Sequence, residues 1–168
     1  MRITPIAVSI GLALATMASA GHGQKPDDQI DPLSLALSRQ GEALTTAGRY
    51  SEARDALETA LAVDPRNRAA FIGLARIAQN LQLPGKAIRY YGRALALEPN
   101  DLGALSGQGE ALVQRGAIER AKQNLARIRA LCKTNCPQAM TLAETIAAGP
   151  PAGVATAQAE SAPPANDN

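Results

Sequence analysis

Two cysteines, Cys132 and Cys136, are the residues of this chain whose type and spacing most readily suggest chemistry. They enclose the short segment CKTNC. Thiols four residues apart can bring their Cα atoms within the roughly 4.4 to 6.8 Å that a disulfide requires, provided that the turn between them is compact. The spacing therefore predicts a disulfide if the chain reaches an oxidising compartment, where such bonds persist.

Two other uses of the cysteines are open on sequence alone. A redox-active pair is more often C-x-x-C at the start of a helix, where the thiol pKa is lowered, and the residues before Cys132 have a helical pattern. A metal site needs two more ligands, and the single histidine, His22, lies near the other end of the chain. The spacing favours a structural disulfide over both.

The remaining polar residues form no recognisable catalytic group. Ser106 has no neighbouring histidine that could activate it. The glycines of residues 103–109, GALSGQG, come without the lysine of a phosphate-binding loop and lie inside a helical period. Glu42, Glu110 and Glu119 are available carboxylates, but acidic residues on helices usually lie on solvated faces. We therefore predict no enzymatic activity, no cofactor and no metal.

The first twenty residues, MRITPIAVSIGLALATMASA, have the pattern of an export signal. Arg2 precedes an apolar run over residues 6–17, and small residues lead up to Ala20, as signal peptidase requires. The run is shorter than the about 20 residues that span a bilayer comfortably. We expect cleavage before Gly21 and a periplasmic or secreted protein; a retained N-terminal anchor is the alternative.

Length, composition and charge limit the class of the remaining chain. Residues 21–31 are predicted to form a flexible leader and residues 149–168 a disordered tail, since neither segment has an apolar period. Folding is expected over residues 32–148.

The 168 residues include 17 Lys and Arg against 15 Asp and Glu, which argues against a general electrostatic attraction to nucleic acid. One Phe, three Tyr and no Trp favour helices over strands.

Small and apolar residues recur in the central segment at steps of three and four, the mark of helices. Asp31 and Pro32 resemble an N-cap followed by proline at the first helical position. Gly48 ends this run, Tyr50 opens a second one, and Asp64 ends it because a residue before proline avoids the helical region. The predicted inner face of the first run consists of Leu33, Leu37, Gly41 and Leu44.

This helical hairpin returns twice at an interval of 34 residues: ALAVDPRN at 60–67 recurs as ALALEPND at 94–101. Small residues repeat on the first helices (Gly41, Ala75, Gly109) and on the second helices (Ala53, Ala87, Ala121), and Pro65 and Pro99 end two copies. In this spacing and pattern the chain resembles the tetratricopeptide repeat family. The third copy departs at Ile128 and Lys133.

The resemblance implies an all-α fold, a right-handed α-solenoid of three helix-turn-helix repeats at about residues 34–67, 68–101 and 102–135. Three hairpins are about the minimum that builds a continuous core. Residues 137–148 supply a candidate C-terminal capping helix over the open end. Met140, Leu142 or Ala143, and Ile146 are available for its inner side.

The resemblance also implies a binding surface, since the first helices of the family line a concave groove that holds a peptide or a partner's helix. Leu35, Ile72 and Val113 are expected either to be exposed there or to pack sideways on the next repeat. The basic clamp with which some family members hold a terminal carboxylate is not reproduced, because only Arg76 is basic on this surface. The predicted groove residues are Leu35, Ser38, Glu42, Thr45, Ile72, Arg76, Gln79, Asn80, Ser106, Glu110, Val113 and Gln114.

A basic stripe is predicted along one side of the last hairpin's second helix: Arg115, Lys122, Arg129 and Lys133. It is expected to be a solvated face, or else to meet an acidic partner or an anionic membrane or cell-wall surface. Together these patterns predict a monomeric, non-enzymatic adaptor or assembly factor of the cell envelope that binds a protein or peptide and no nucleic acid. Self-association through Leu33, Leu35 and Leu37 and a holdase chaperone are the alternatives.

Overall fold

A computed structural model describes residues 29–132, 134 and 136–152. The export signal, residues 21–28 of the leader, Lys133 and the tail beyond residue 152 lie outside the described residues. Within the described part, all regular structure is helical, so the predicted all-α class is confirmed. The helices are α1 (Pro32–Thr46), α2 (Tyr50–Val63), α3 (Arg68–Asn80), α4 (Pro84–Leu97), α5 (Leu102–Gln114), α6 (Ile118–Leu131) and α7 (Pro137–Ala148).

The first helix of each hairpin begins at a side-chain cap. Asp31 Oδ1 accepts a hydrogen bond from the backbone N of Leu33 (2.8 Å), Asn67 Oδ1 caps α3 and Asp101 Oδ1 caps α5. Such caps satisfy amide groups that the start of a helix otherwise leaves without a partner. Asn67 and Asp101 are 34 residues apart, as the repeat interval requires, whereas Asp31 lies 36 residues before Asn67, so α1 begins two residues earlier than the interval predicts.

The turn inside each hairpin needs one residue in the left-handed backbone region. Gly48 (φ 74°) and Gly116 (φ 81°) supply it in the first and third hairpins, where glycine carries no steric cost. At the equivalent position of the second hairpin stands Gln82, with φ 56°. A side chain in this region costs about 1 kcal/mol relative to glycine, so Gln82 is a locally unfavourable choice.

The three hairpins α1–α2, α3–α4 and α5–α6 stack in chain order, and α7 packs on α5 and α6. The first helices contact one another along the stack, α1 to α3, α3 to α5 and α5 to α7. They form the concave side of the solenoid, and α2, α4 and α6 form its outer side. The cap therefore takes the place that the first helix of a fourth hairpin would have.

Large side chains fill the space above glycines where the helices cross. Leu57 of α2 lies over Gly41 of α1 and Gly73 of α3, and a Cβ atom at either glycine would come within 3.0 Å of the Leu57 side chain. Leu142 of α7 lies in the same way over Gly109 of α5. Because the glycines lack a side chain, neighbouring helices approach closely enough for one leucine to join two repeats.

The predicted apolar faces of α1 and α7 are wrong in one residue each. Leu33 is 58% exposed because it lies in the first turn of α1, and the buried residues of that helix are Ser34, Ser38 and Gly41. Met140 is 59% exposed, because it lies about 100° around α7 from Ala139, which is buried with Leu142.

A buried hydrogen-bond network replaces apolar packing between the first two hairpins. The Asn67 side-chain nitrogen donates to Ser34 Oγ (2.7 Å) and to Ser38 Oγ (2.7 Å), and Ser34 Oγ donates to the carbonyl oxygen of Ala60 (2.7 Å). Asn67 is 1% exposed. One amide therefore joins the cap of α3 to α1, and its polar atoms are satisfied, as burial requires.

The segment before α1 is part of the domain. Ile30 is only 4% exposed, the backbone N of Asp31 donates to Asp64 Oδ2 (3.2 Å), and Arg66 Nη2 donates to the carbonyl oxygen of Gln29 (3.2 Å). The prediction of a flexible leader through residue 31 is therefore wrong for residues 29–31. A buried isoleucine and the Asp64 carboxylate hold them in place.

Asp64 makes the stability of this junction depend on pH. Burial by itself raises its pKa, but hydrogen bonds from the Arg66 side chain and backbone and from the Asp31 backbone, with the charge of Arg66, outweigh burial and hold the pKa below its ordinary value. A lowered pKa in the folded state means that the carboxylate stabilises the fold above its unfolded-state pKa of about 3.9. This contribution is lost as the pH falls through the folded-state pKa.

We therefore expect Asp64→Asn to be less stable than the wild type near neutral pH, with the difference shrinking below about pH 4. Urea unfolding of both proteins across a pH series measures this difference. Asp55→Asn, at a more exposed carboxylate on α2, is the control and should change stability by less than about 0.5 kcal/mol at each pH. A gap for Asp64→Asn that stays constant down to about pH 2 would contradict the assignment.

Candidate functional site

A concave groove with a volume of about 670 Å³ lies between α1, α3 and α5. Most of the side chains that line it are polar. A smaller hollow of about 370 Å³ lies between α1 and α3, and a third of about 390 Å³ lies where α3 and α5 meet α7. The residues that line the main groove are Glu42, Thr45, Thr46, Tyr50, Gly73, Arg76, Gln79, Asn80, Gln82, Glu110 and Gln114.

The structure brings most of the predicted groove residues to these hollows. Glu42, Thr45, Arg76, Gln79, Asn80, Glu110 and Gln114 line the main groove, Leu35, Ser38 and Ile72 line the hollow between α1 and α3, and Ser106 lines the one beside α7. Three are more buried than the sequence suggested. Val113 is 1% exposed and packs in the core, while Ser38 and Ser106 are 6% and 5% exposed.

These departures have physical causes. Val113 packs with Leu112 and Ala121 between α5 and α6, so it faces the outer helix and not the groove. Leu35 and Ile72 are half-buried and line the hollow between α1 and α3. The hydroxyl of Ser38 is covered by Asn67 of the next hairpin.

An ion pair crosses the floor of the groove. Arg76 Nη1 of α3 lies 2.8 Å from Glu42 Oε1 of α1, and both side chains are more than half exposed. A pair exposed to this degree adds little stability. The pair matters for ligand binding, because the positive charge of Arg76 is already balanced by a carboxylate of the same groove.

A second polar cluster reaches the groove from the outer helix α4. The Tyr91 hydroxyl passes over Gly107, where a Cβ atom would overlap the ring, and donates to Gln79 Oε1 (2.7 Å). Burial raises the pKa of Tyr91 to about 12, with Arg76 lowering it and Glu110 raising it. The hydroxyl therefore stays protonated at neutral pH and donates its single hydrogen to Gln79.

The wall of the third hairpin is rich in acceptors. Ser106 Oγ donates to Glu110 Oε1 (3.1 Å), and Glu110 lines the main groove. Gln114 Oε1 is buried and accepts no hydrogen bond from the described residues. Of these two acceptors, the Glu110 carboxylate is the one that a hydrogen-bond donor of a ligand in the groove can reach.

Several groove residues carry no signal in the sequence. Tyr91 belongs to the outer helix α4, and its hydroxyl reaches the groove side only because its ring crosses Gly107 of α5. Gln138 and Thr141 of α7 line the hollow that also contains Ser106. The loop before α7 is one residue longer than the loop before α5, so a step of 35 from Ser106, not 34, would have found Thr141. Arg39, a second basic residue, lies beside Arg76 in the hollow between α1 and α3.

Comparisons with known proteins agree with this architecture. Family models described as "Tetratricopeptide repeat" match residues 34–67 and residues 72–131, which together cover more than half of the chain. The chain belongs to the tetratricopeptide repeat (TPR) family. No curated protein matches its sequence.

Solved TPR domains share the fold. The first TPR of Spaghetti (RPAP3), bound to the HSP90 peptide SRMEEVD, is 25% identical with a TM-score of 0.63, covering 69% of this chain and 92% of that chain. The Sgt2 TPR domain from Aspergillus fumigatus is 24% identical with a TM-score of 0.64, covering 82% and 89%. The second TPR domain of human RPAP3, in complex with the HSP70 peptide SGPTIEEVD, is 22% identical with a TM-score of 0.62, covering 68% and 95%.

The two cysteines join the last TPR hairpin to the cap. Cys132 ends α6, Cys136 precedes Pro137 at the start of α7, and a disulfide connects them with their Cα atoms 6.0 Å apart. Among the described residues, no group of three or more metal-ligating side chains is close enough to hold an ion. The disulfide therefore closes the loop that connects α6 to the cap.

The predicted basic stripe is only partly on α6. Lys122 and Arg129 are exposed there, and Lys122 Nζ lies 2.7 Å from Glu119 Oε1. Arg115 instead caps the C-terminus of α5, with its guanidinium close to Gly85 at the start of α4, because α6 begins only at Ile118. Lys133 lies outside the described residues. The described part of this TPR protein contains no helix that could span a membrane.

Proposed function

We propose that this TPR protein is a non-enzymatic adaptor that holds a segment of a partner protein in its concave groove. The observation that carries the proposal is the main groove of about 670 Å³ between α1, α3 and α5. The residues that line it lie on packed helices, so the groove loses little conformational entropy when a partner binds. Helical repeats commonly use such concave surfaces for binding, and the two RPAP3-type structures carry peptides.

The chemistry of the groove favours a specific partner over a general chaperone role. Polar side chains dominate the lining. The exposed large apolar residues of the described chain are absent from the described groove lining: Leu33, Val63, Leu81, Leu83, Leu131 and Met140. A holdase needs a broad apolar surface to collect unfolded chains. A polar groove instead selects a segment whose hydrogen-bonding groups match its own.

The charge of the groove argues against an acidic partner such as the peptides SRMEEVD and SGPTIEEVD of the solved structures. Arg76 is paired with Glu42, and Glu110 adds a second carboxylate to the lining. Like charges repel an acidic segment. We therefore propose a neutral or basic partner segment, and the peptide SRMEEVD serves as a negative control in binding measurements.

Gln82 supports a functional groove, because a residue in an unfavourable backbone conformation often serves a binding site. Its side chain lines the groove at a turn position where the other two hairpins have glycine. We expect Gln82→Gly to raise the free energy of unfolding by about 0.5 to 1 kcal/mol and to weaken partner binding. Urea unfolding and a binding assay on the same protein measure both effects. A variant that is less stable than the wild type would contradict this reading.

Site-specific photo-crosslinking in cells tests the proposal. A photoreactive amino acid at Asn80 and at Thr141 reports on the groove, and the same amino acid at Ala62, exposed on α2, is the matched control. The adaptor function predicts one recurring product from both groove positions and none from Ala62. A smear of many products favours a holdase, and products from Ala62 alone would refute the groove.

We also propose that the adaptor works outside the cytoplasm, in the periplasm or after secretion. Two features support this location: residues 1–20 have the pattern of an export signal, and a disulfide persists in an oxidising compartment. Intact mass measurement tests it. We expect a chain that begins at Gly21 and gains two hydrogens on reduction; an uncleaved or already reduced protein would contradict export or the disulfide, respectively.

We further propose that the adaptor is a monomer. The N-terminal edge of the stack, suspected of self-association, exposes Leu33, whereas Leu37 packs against the core of the first hairpin. A single exposed leucine is a small fraction of the area that a stable interface buries. Light scattering at micromolar concentration should return the monomer mass, and a stable dimer would favour the self-association alternative.

A further inference from the structure

The outer side of the second and third hairpins concentrates positive charge. Helix α4 contains three basic residues and no acidic one, and α6 contains four basic residues with Glu119 as its single acid. All seven basic side chains are exposed. This basic outer face consists of Lys86, Arg89, Arg93, Arg120, Lys122, Arg127 and Arg129.

The repeat register places these charges in rows that run across the hairpins. Lys86 of α4 and Arg120 of α6 are 34 residues apart, and so are Arg93 and Arg127, so each pair occupies equivalent positions on the outer side. At the position equivalent to Lys86 the first hairpin has Glu52. The outer side of the solenoid is therefore polarised, acidic at α2 and basic at α4 and α6, although the whole chain is nearly neutral.

Few of these charges are neutralised within the molecule. Lys122 pairs with Glu119, Arg127 Nη2 donates to the amide oxygen of Asn100 (3.3 Å), and the Arg93 guanidinium lies 5.7 Å from the centre of the Phe71 ring. The other four form no ion pair with a described residue: Lys86, Arg89, Arg120 and Arg129. Like charges held close together repel one another, so the face favours an anionic partner.

We propose that the basic outer face docks the protein on an anionic lipid surface. Each basic residue near an anionic bilayer adds attraction that needs no fixed partner geometry. The exposed surface of α6 between its two groups of basic residues carries Gln123, Ala126 and Ala130. The exposed large apolar residue of this helix, Leu131, lies at its C-terminal end, so the middle of the helix lacks the aromatic or large apolar anchor on which protein interfaces usually centre. An extended charged face without such a central anchor suits a surface that is recognised by its charge density.

Docking in this way leaves the groove free. Helices α4 and α6 form the outer side, and the groove opens on the opposite side between α1, α3 and α5. The acidic residues of α2, Glu52, Asp55 and Glu58, would tilt the first hairpin away from the lipid. The proposal is independent of the adaptor function, because lipid binding can be measured without a groove partner.

Vesicle co-sedimentation tests the proposal, with vesicles of phosphatidylcholine alone and vesicles that contain about 30% phosphatidylglycerol. The full chain is compared with a chain that begins at Gly21, so that the apolar run of residues 6–17 is not what binds. The basic-face variant is R89Q/R120Q/R129Q. Its control, R39Q/R49Q/R54Q, removes the same charge from exposed positions of the first hairpin. Circular dichroism verifies that both variants are helical.

We expect the chain from Gly21 to bind only the anionic vesicles, and to lose most of that binding between about 50 mM and 500 mM salt. The basic-face variant should bind at least about tenfold more weakly, while the control stays within about threefold of the wild type. Binding to both vesicle types, no binding at low salt, or equal losses in the two variants would overturn the proposal. Tighter binding to soluble poly-L-glutamate than to vesicles, or salt-sensitive dimers in light scattering, would assign the face to an acidic protein or to a second copy.

Discussion

Replacing Leu57 by alanine should lower the free energy of unfolding by about 3 to 5 kcal/mol, the upper part of the range for a fully buried leucine. Leu57 is 1% exposed, and its side chain fills the space above Gly41 of the first hairpin and Gly73 of the second. The glycines cannot close the cavity, because they lie in the rigid helices α1 and α3. The substitution therefore weakens the packing between two repeats as well as the packing within one repeat.

Urea unfolding followed by helical circular dichroism measures this effect. Leu33→Ala is the matched control, since the same substitution in the same hairpin removes a side chain that is 58% exposed. Its stability should stay within about 0.5 kcal/mol of the wild type. A solenoid of three hairpins is close to the smallest stable stack, so we expect Leu57→Ala to be partly unfolded at 37 °C. A loss below about 1 kcal/mol for Leu57→Ala would contradict the packing described here.

Gly107→Ala should cost about 2 to 3 kcal/mol, although alanine is normally the better helix former. The added Cβ atom would lie within 3.0 Å of the ring and hydroxyl of Tyr91, which is 3% exposed and cannot easily move aside. Relief requires the ring to shift, which breaks the hydrogen bond from its hydroxyl to Gln79. The substitution therefore alters the groove wall together with stability.

Gly92→Ala on the facing helix α4 is the control for this prediction. Its added Cβ atom would meet Gln108 Nε2 at an ordinary 3.6 Å, so we expect a gain of about 0.5 to 1 kcal/mol from helix propensity. The double variant Y91F/G107A should cost less than the sum of the single variants, because the missing hydroxyl removes part of the overlap. Additive losses in urea unfolding would show that Gly107 and Tyr91 do not interact as described.

Much of the fold could be predicted because each hairpin carries its own boundary residues. Asp31 and Pro32 start α1, and Asp64 ends α2 at the residues expected. The 34-residue interval then predicts the corresponding boundaries in the later hairpins. The family could also be recognised from the sequence, because a position where two helices cross closely, such as Gly41, has room only for a small residue.

The groove could be predicted only in outline. A repeat interval tells which helix a residue belongs to and roughly which way it points, and this placed Glu42, Arg76 and Glu110 correctly on the concave side. It cannot show that Asn67 buries Ser38, because that contact joins different positions of two repeats. The same holds for Tyr91, which belongs to the outer helix and reaches the groove only because Gly107 lies in its path.

The cap shows how one inserted residue changes a prediction. The loop between α6 and α7 is one residue longer than the loop between α4 and α5, and the disulfide of Cys132 and Cys136 closes it. Every position of α7 is therefore shifted by one from the 34-residue interval. Met140 was expected inside and is exposed, while Thr141 takes the groove position that corresponds to Ser106.

Nuclear magnetic resonance can show residue by residue whether a partner segment binds in the concave groove. Backbone amide shifts are recorded while a synthetic peptide of the crosslinked segment is added to the protein. We expect saturable shifts at groove residues of α1, α3, α5 and α7, including Asn80 and Thr141, and small shifts on the outer face. The strongest shifts on α2, α4 or α6, or no saturable change, would contradict it.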